Sequence, residues 1–178
     1  AHPRLWHLLS YRADRRARKG NSLQQAVLGE REEPGRAVVV GYGPVGRKVA
    51  EVLLQNALTP VVIDMNVDTV NELTAAGRHA VYGDSATADV LRAAGVQKAR
   101  YLVCTLPNIQ TAIPTVAAAR ELNPDLRILV RARFLNDAPL LRDLGVRAIA
   151  FEEQEAAKTL AALVLEDLQD EGAAIARA

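Results

Sequence analysis

A short run of glycines with the spacing of a phosphate-binding turn is the first feature of this sequence that could do chemistry. The stretch Gly41-Tyr42-Gly43-Pro44-Val45-Gly46 has the form G-x-G-x-x-G, and it follows the apolar run 37–40 directly. An amphipathic segment starts at Arg47. Glycine turns of this form, placed between a strand and a helix, hold the phosphates of nucleotides. We therefore predict a phosphate site here, and the alternative is a tight strand-to-helix turn with no ligand.

The three glycines of this turn have different physical roles. Gly41 permits a sharp turn off the strand, Gly43 leaves room for a phosphate against the backbone, and Gly46 lets the helix pack closely on the sheet. Pro44 suits a first helical position because the N–H that it lacks would be unpaired there. The start of the helix then offers unpaired N–H groups and the positive end of its dipole to an anion.

Asp64 is the second part of the predicted site. It closes the next apolar run, 18 residues after Gly46, where dinucleotide-binding sequences carry the acidic residue that accepts hydrogen bonds from a ribose 2′-hydroxyl. The next two residues, Met65 and Asn66, supply no cation for a 2′-phosphate. The sequence therefore disfavours NADP as the ligand.

A repeated rhythm of short apolar strands and amphipathic helices positions these residues. The pattern predicts strands near 36–41, 60–64, 79–82, 100–105, 127–131 and 147–151, with helices near 44–56, 67–76, 86–94, 109–122, 137–144 and 153–170. Strands that alternate with helices form parallel sheets covered on both faces. We expect a Rossmann-like, doubly wound α/β fold with a six-stranded parallel sheet in the order 3-2-1-4-5-6.

In that order, a crevice lies at the carboxyl ends of strands 1 and 4, and the ligand is expected there. Asp84 could accept from an adenine amino group or a ribose, or it could serve the turn before the next helix. Thr105 and Asn108 could contact a phosphate or a second ribose, whereas capping a helix is the other role of Asn108. The predicted nucleotide site comprises Gly41, Tyr42, Gly43, Pro44, Val45, Gly46, Asp64, Met65, Asn66, Asp84, Ser85, Thr105, Leu106, Pro107 and Asn108.

The crevice lacks the groups for catalysis or for a metal. His79 and Lys98 precede or begin strands, so they are expected at the opposite edge of the sheet, and no tyrosine has a lysine four residues later. Arg131 and Arg133 are expected to form ion pairs with Glu152 or Glu153 at the sheet edge. We therefore predict a site that binds without turnover and no enzyme, with a small NAD-dependent oxidoreductase as the alternative.

Size and charge divide the chain into a body and a basic lead-in. The chain has 178 residues and 49% apolar residues, which suits one domain, and the lone Cys104 is expected to be buried. Residues 1–19 carry six basic side chains and one acidic side chain, Asp14, so their net charge is +5. Because the whole chain has a net charge of +1, the remaining residues have a net charge of −4. We expect a helical lead-in and linker at 1–33, the domain at 34–172 and a flexible tail at 173–178. A nucleic-acid-binding module is disfavoured because the excess positive charge is confined to the lead-in.

Several motifs resemble the RCK-type (Trk-N) nucleotide-binding domains that regulate potassium channels and transporters. The similarity covers about residues 36–170, and it is strongest to the C-terminal cytosolic part of Kef-like monovalent cation:proton antiporters, including the YbaL type. The motifs are VVVGYGPVGRKVAEVL, VVIDMNVDTVNEL, AVYGDSATADVLRAAGV, ARYLVCTLPNIQTA and NPDLRILVRAR followed by LLRDLGV. The lead-in PRLWHLLSYRADRRARK resembles the segment that joins the last membrane helix of such antiporters to the cytosolic domain.

The resemblance implies a sensor within a larger transporter. It assigns Gly41, Gly43 and Gly46 to phosphate, Asp64 to the adenosine ribose, and Asp84 with Ser85 to the adenine side, with NAD(H), AMP or another adenine nucleotide as the ligand. The full protein would exchange K⁺ or Na⁺ for H⁺ through its own transmembrane antiporter domain, gated by paired copies of this soluble domain. The homodimer would lie on the cytoplasmic face of the bacterial inner membrane, with the basic segment near the inner leaflet. Kef proteins proper also bind glutathione adducts between paired domains, whereas 106–108 and 151–153 are more similar to the YbaL branch.

Overall fold

One six-stranded parallel sheet forms the centre of the molecule, in the order β3-β2-β1-β4-β5-β6. The structure is a computed structural model, and it describes residues 35–175, with side chains described through residue 169. The strands are β1 Arg36–Val40, β2 Thr59–Asp64, β3 His79–Tyr82, β4 Tyr101–Cys104, β5 Arg127–Ala132 and β6 Ala148–Phe151. The predicted fold class and strand order are confirmed.

A helix connects each strand to the next, and a last helix follows β6. The helices are α1 Pro44–Gln55, α2 Val67–Ala75, α3 Ala88–Ala93, α4 Ile109–Leu122, α5 Ala138–Asp143 and α6 Glu152–Ile175. Two short 3-10 turns, Val96–Lys98 and Leu135–Asp137, precede β4 and α5. Because every crossover is helical, all strands end at one edge of the sheet, where the predicted site lies.

One face of the sheet is covered along its whole width, whereas the other is covered over β1–β3 and left half-buried or exposed at alternate residues of β4–β6. Val38, Val61 and Leu102 are fully buried in the larger of two core clusters, which also takes in residues of α3, α4 and α5. Val62 and Ala80 belong to the smaller cluster on the other face, with Val70 and Leu73 of α2. The alternating orientation of side chains along a strand separates the two clusters.

Two helices differ from their predicted spans. Helix α3 begins at Ala88 rather than near residue 86, because the Asp84 carbonyl and side chain bond the N–H groups of Thr87 and Ala86 in a turn. Helix α6 continues to Ile175, beyond the expected end near residue 170. Gly172 lowers helix propensity only locally, and no proline follows it to end the helix.

Some expectations concern parts of the chain that the structure does not describe. The helical lead-in at 2–28 and its basic residues lie outside the described residues, and so do the last residues of the expected tail, 176–178. Between residues 35 and 175, no helix combines the length and the apolar character needed to cross a membrane.

Candidate nucleotide-binding site

The glycine turn after β1 has the geometry that its sequence predicts. Gly41 has a φ of +87°, in the left-handed region, and its N–H donates to the carbonyl of Ile63 at 2.9 Å. A Cβ on Gly46 would lie 2.0 Å from the carbonyl oxygen of Gly41, so helix α1 packs too closely on the strand end for any side chain there. A Cβ on Gly43 would meet nothing within 4 Å. The turn therefore leaves open space at its middle glycine.

Helix α1 begins without a capping side chain. Gly43 is its N-cap, Pro44 and Val45 follow, no side chain bonds the first N–H groups, and the first turn has no acidic residue. The five other described helices all begin beside an amide or a carboxylate, supplied by Asn66, Asp89, Asn108, Asp137 and Glu152. Side chains cap only α2 and α4 of these helices, but α1 is the described α-helix with no amide or carboxylate at its N-cap or in its first turn, so nothing competes there with an anionic ligand.

Asp64 lies directly beside this turn. Its Oδ2 accepts a hydrogen bond from the backbone N–H of Tyr42 at 2.7 Å, and its Oδ1 accepts one from the N–H of Asn66 at 2.8 Å. The carboxylate is half-buried at the end of β2. Each carboxylate oxygen has a further lone pair, so these two bonds fix the orientation of Asp64 and leave acceptor capacity for a ribose hydroxyl.

The side chain of Tyr42 points away from the turn. Its ring packs against the smaller core cluster, its hydroxyl accepts a hydrogen bond from Arg78 at 3.0 Å, and the Arg47 guanidinium lies 5.4 Å from its ring centre. Tyr42 is a predicted site residue. Its backbone N–H lies in the turn and bonds Asp64, whereas its ring packs against the smaller core cluster. The contact with Arg78, 36 residues away in sequence, had no signal in the sequence.

Two predicted adenine-side residues have different environments. The N–H of Gly83 donates to the carbonyl of Asp64 at 3.1 Å, which places exposed Asp84 near Asp64 in the crevice. Ser85 is buried, and its hydroxyl forms a 2.8 Å hydrogen bond with the hydroxyl of Thr115 in α4. The side chain of Ser85 therefore faces the interior. A buried threonine inside a helix gives no sequence signal of such a partner.

The loop after β4 closes the other side of the crevice. The Thr105 hydroxyl lies 2.9 Å from the carbonyl oxygen of Val40 and 3.1 Å from that of Gly41, so its proton holds the end of β1. Asn108 caps α4 by accepting from the N–H of Gln110 at 2.9 Å, as Asn66 caps α2. Both asparagine side chains thus have the capping role. Three predicted site residues lie beside them on the surface: Met65 and Pro107 are exposed, and Leu106 is half-buried.

Arg131 joins this loop to the start of the last helix. Its Nε donates to Glu152 at 2.8 Å and its Nη1 donates to the carbonyl of Thr105 at 3.3 Å. The predicted ion pair is confirmed for Arg131 with Glu152, whereas Arg133 is in none of the four ion pairs of the described residues. The Glu153 carboxylate instead accepts from the N–H of Leu135 at 3.2 Å.

The crevice offers the backbone N–H groups of a helix start and the Asp64 carboxylate. His79 and Lys98 lie at the opposite edge, at the start of β3 and the end of a turn before β4. Burial raises the pKa of the Cys104 thiol to about 11, so this group at the end of β4 stays protonated. Among residues 35–175, no cluster of three or more His, Cys, Asp or Glu side chains could hold a metal ion.

The strand order and the glycine turn define a Rossmann-like α/β domain, the class in which dinucleotides bind at the first strand-to-helix turn. A family model described as the TrkA-N domain matches residues 37–153. The chain therefore belongs to the TrkA-N family.

Known relatives are transport proteins. The chain is 32% identical over 167 residues to the proposed cation/proton antiporter YbaL of Escherichia coli K12, covering 91% of this chain and 30% of that protein. The crystal structure of the TrkA-N domain of inner membrane protein YbaL superposes with a TM-score of 0.69 at 34% identity, covering 72% of this chain and 96% of that one. The glutathione-regulated potassium-efflux protein KefC of Klebsiella pneumoniae is 33% identical over 137 residues, 77% of this chain and 22% of that protein.

One of the structural relatives was solved with AMP. The Kef CTD of Shewanella denitrificans in its AMP-bound form has a TM-score of 0.67 at 27% identity, covering 75% of this chain and 81% of that one. The family is a regulatory RCK domain of transporters, so the chain is not an enzyme. It spans less than a third of the length of the curated relatives that it matches.

Proposed function

We propose that this domain binds an adenine nucleotide at the β1–α1 turn and that its binding gates a monovalent cation:proton antiporter. The observation that carries the proposal is the uncapped, glycine-lined start of α1 beside the Asp64 carboxylate. The N–H groups at the start of α1 can bind a phosphate, and the Asp64 carboxylate can accept a hydrogen bond from a ribose hydroxyl. The hydrogen bond from the Tyr42 N–H holds this carboxylate beside the helix start. AMP in the Kef relative supports an adenine nucleotide.

The geometry favours particular roles for the residues. The nucleotide phosphate would lie over Gly43, bonded by the N–H groups of Val45 and Gly46, because no protein atom lies within 4 Å of a Cβ placed on Gly43. The ribose hydroxyls would bond Asp64. The adenine would lie beyond it, between exposed Met65 and Asp84, since Gly83 bonds the Asp64 carbonyl.

The form of the ligand follows from where the crevice continues. AMP would occupy only the half between α1 and Asp84. NAD(H) would extend its second ribose past Thr105 toward Leu106, Pro107 and Asn108, which form the exposed or half-buried rim after β4. We propose NAD(H) or AMP as the two candidate ligands, and direct titration with each distinguishes them.

Gating requires that the ligand bind two arrangements of the protein with different affinity. Moving a switch from 1:99 to 99:1 takes roughly 5.5 kcal/mol of differential binding. One phosphate at one helix start is too little for that, so two sites acting together in a homodimer are proposed. Helix α6 supplies an apolar face for pairing: exposed Leu160, Leu163, Val164 and Leu168 recur at helical spacing.

The partner of such a dimer would be the protein's own transmembrane antiporter domain. YbaL and KefC, both far longer than this chain, are transport proteins by description. We therefore place the domain at the cytoplasmic face of the bacterial inner membrane, with the basic segment 1–19 near the inner leaflet.

The nucleotide site is tested with two single variants, one at Asp64 and one at a control carboxylate outside the proposed site. Asp64→Asn keeps the shape of the side chain but loses the charge that accepts from the ribose, so the affinity for AMP and NADH should fall by about 1.5 to 3 kcal/mol, roughly 10- to 150-fold, by calorimetry. Asp68→Asn, exposed in the first turn of α2, is the control and should bind like the parent chain. Equal affinity of all three proteins would remove Asp64 from the site.

The test of the dimer uses the apolar face of α6. Val164→Glu places a charge on a side chain that is 57% exposed in the single chain, so it should separate the dimer without unfolding the domain. Glu166→Gln on the same helix is the control. Light scattering should give a dimer for the parent and the control and a monomer for Val164→Glu, and a parent chain that is monomeric with and without nucleotide would contradict the proposal.

A further inference from the structure

The amino ends of the strands form a strongly basic edge on the side of the sheet opposite the nucleotide site. Arg127 starts β5, and Lys98, Arg100 and Arg147 lie in the loops just before β4 and β6. All four side chains are exposed. We call these four residues, with Tyr101 between them, the basic edge.

These side chains lie on neighbouring strands. The register pairs Tyr101 with Arg127, the N–H of Arg127 donates to the carbonyl of Arg100 at 3.2 Å, and the N–H of Arg147 donates to that of Ile128 at 2.8 Å. Since adjacent strands are about 4.8 Å apart, the backbones of the three arginines lie within about 10 Å of one another along this edge. The three residues therefore belong to one part of the surface.

Tyr101 reports how close the arginines are. Its hydroxyl accepts a hydrogen bond from Arg127 at 3.1 Å, and the guanidinium of Arg100 lies 5.3 Å from its ring centre. The hydrogen bond from Arg127, followed by the charges of Arg100, Arg127 and Arg147, lowers the pKa of Tyr101, while its desolvation opposes the shift. Three arginines thus lie close enough to act on the same side chain.

Little negative charge compensates this edge. Asp125 is the acidic residue of the loops at the amino ends of the strands, and the last turns of α2, α4 and α5 add Glu72, Glu121 and Asp143. The same loops and turns carry Arg78, Arg120 and Arg142 besides the basic edge, so positive charge remains in excess. The four ion pairs among the described residues do not include Lys98, Arg100, Arg127 or Arg147.

The opposite edge has the reverse charge. Near the carboxyl ends of the strands, the loops and first helical turns carry Asp64, Asp68, Asp84, Asp89, Asp137, Glu152 and Glu153, against Arg47, Lys48, Arg131 and Arg133. The domain is therefore polarised along the strand direction, and an anionic surface would orient it with the amino ends inward and the nucleotide site outward.

We propose that the basic edge docks on the anionic phospholipid surface of the membrane. Strand β1 begins at Arg36, so the chain that carries the basic residues of 1–19 joins the domain at this same edge. The four basic side chains of the edge would face the lipid phosphates, which gains roughly 1 kcal/mol per basic residue near anionic lipid. The proposal rests on the proposed function only for the presence of a membrane.

Vesicle binding of the full 178-residue chain tests this. The triple variant Arg100→Gln, Arg127→Gln, Arg147→Gln should lose at least about tenfold of its partition coefficient on phosphatidylglycerol-containing vesicles at low salt. The control, Lys48→Gln, Arg133→Gln, Lys158→Gln, removes the same charge away from the basic edge and should lose much less. Equal losses in the two variants would overturn the proposal, because general charge or the lead-in would then explain the binding.

A second measurement separates contact by this edge from tethering by the lead-in. Gln97 and Asn136 are exposed central residues of the two 3-10 turns, on opposite edges of the sheet, and Cys104 is buried. A polarity-sensitive dye on Gln97→Cys should shift to the blue with anionic vesicles, and the same dye on Asn136→Cys should not. No shift at either position would contradict docking. If the parent chain binds RNA, and the triple arginine variant loses that binding but keeps its binding to vesicles, the docking proposal is also contradicted. The triple arginine variant should bind nucleotide with the same affinity as the parent chain. A failure of the docking proposal can therefore be distinguished from a failure of the proposed nucleotide site.

Discussion

Gly43→Ala should separate nucleotide binding from folding. Gly43 has a φ of −69° and a ψ of −169°, an extended conformation that alanine adopts without strain, and its added Cβ would meet no atom within 4 Å. The folded domain therefore accommodates the change. Alanine restricts the unfolded chain, which adds about 0.4 to 1 kcal/mol, but it is a poorer N-cap than glycine by a similar amount, so the free energy of unfolding should change by less than about 1 kcal/mol.

The same methyl group would occupy the space proposed for the phosphate. A phosphate pushed away from the backbone loses charged hydrogen bonds that contribute about 1.5 to 3 kcal/mol, so the affinity for AMP or NADH should fall roughly 10- to 150-fold. Calorimetric titration measures the affinity, and urea unfolding of the same samples measures the stability.

Gly46→Ala is the contrasting variant within the same turn. Its Cβ would lie 2.0 Å from the Gly41 carbonyl oxygen and 3.2 Å from the Thr105 hydroxyl, so helix α1 would have to move off the strand end. We expect a loss of about 3 kcal/mol in stability. Unchanged nucleotide affinity in Gly43→Ala would refute the proposed position of the phosphate. A stability loss in Gly43→Ala equal to that in Gly46→Ala would show that there is no room for a side chain at Gly43.

Two further predictions concern the loop and strand beside the turn. Thr105→Val removes the hydroxyl that bonds the carbonyls at the end of β1, so urea unfolding should show a loss of about 1 kcal/mol together with weaker nucleotide binding, and full stability would contradict the role of that bond. Cys104, with its pKa raised from 9.0 to about 11, should react with iodoacetamide at pH 8 about 100-fold more slowly in the native chain than in urea, and comparable rates would contradict its burial.

The fold was predictable because its signals are local. Each strand is a short apolar run, each helix has its own period, and the Gly41–Gly46 turn and Asp64 fix where the first crossover begins and where the second strand ends. The strand order then follows from the rules for parallel sheets. The bounds of the strands accordingly agree with the prediction to within a residue.

The directions of particular side chains were not predictable. Ser85 follows an aspartate in an apparently open loop, yet it bonds Thr115, 30 residues later. Tyr42 lies within the glycine motif, yet its hydroxyl bonds Arg78 at the start of the next-but-one strand. Such contacts depend on the angle at which helices pack on the sheet, and no periodicity in the sequence encodes that angle. The basic edge is of the same kind, since its arginines are far apart in sequence and adjacent only in the sheet.

A crystal structure of this chain grown with AMP tests the central proposal most directly. The expected complex has the ribose hydroxyls within hydrogen-bond distance of the Asp64 carboxylate and the phosphate on the N–H groups of Val45 and Gly46. A nucleotide bound elsewhere, or one whose ribose does not contact Asp64, would contradict the proposal.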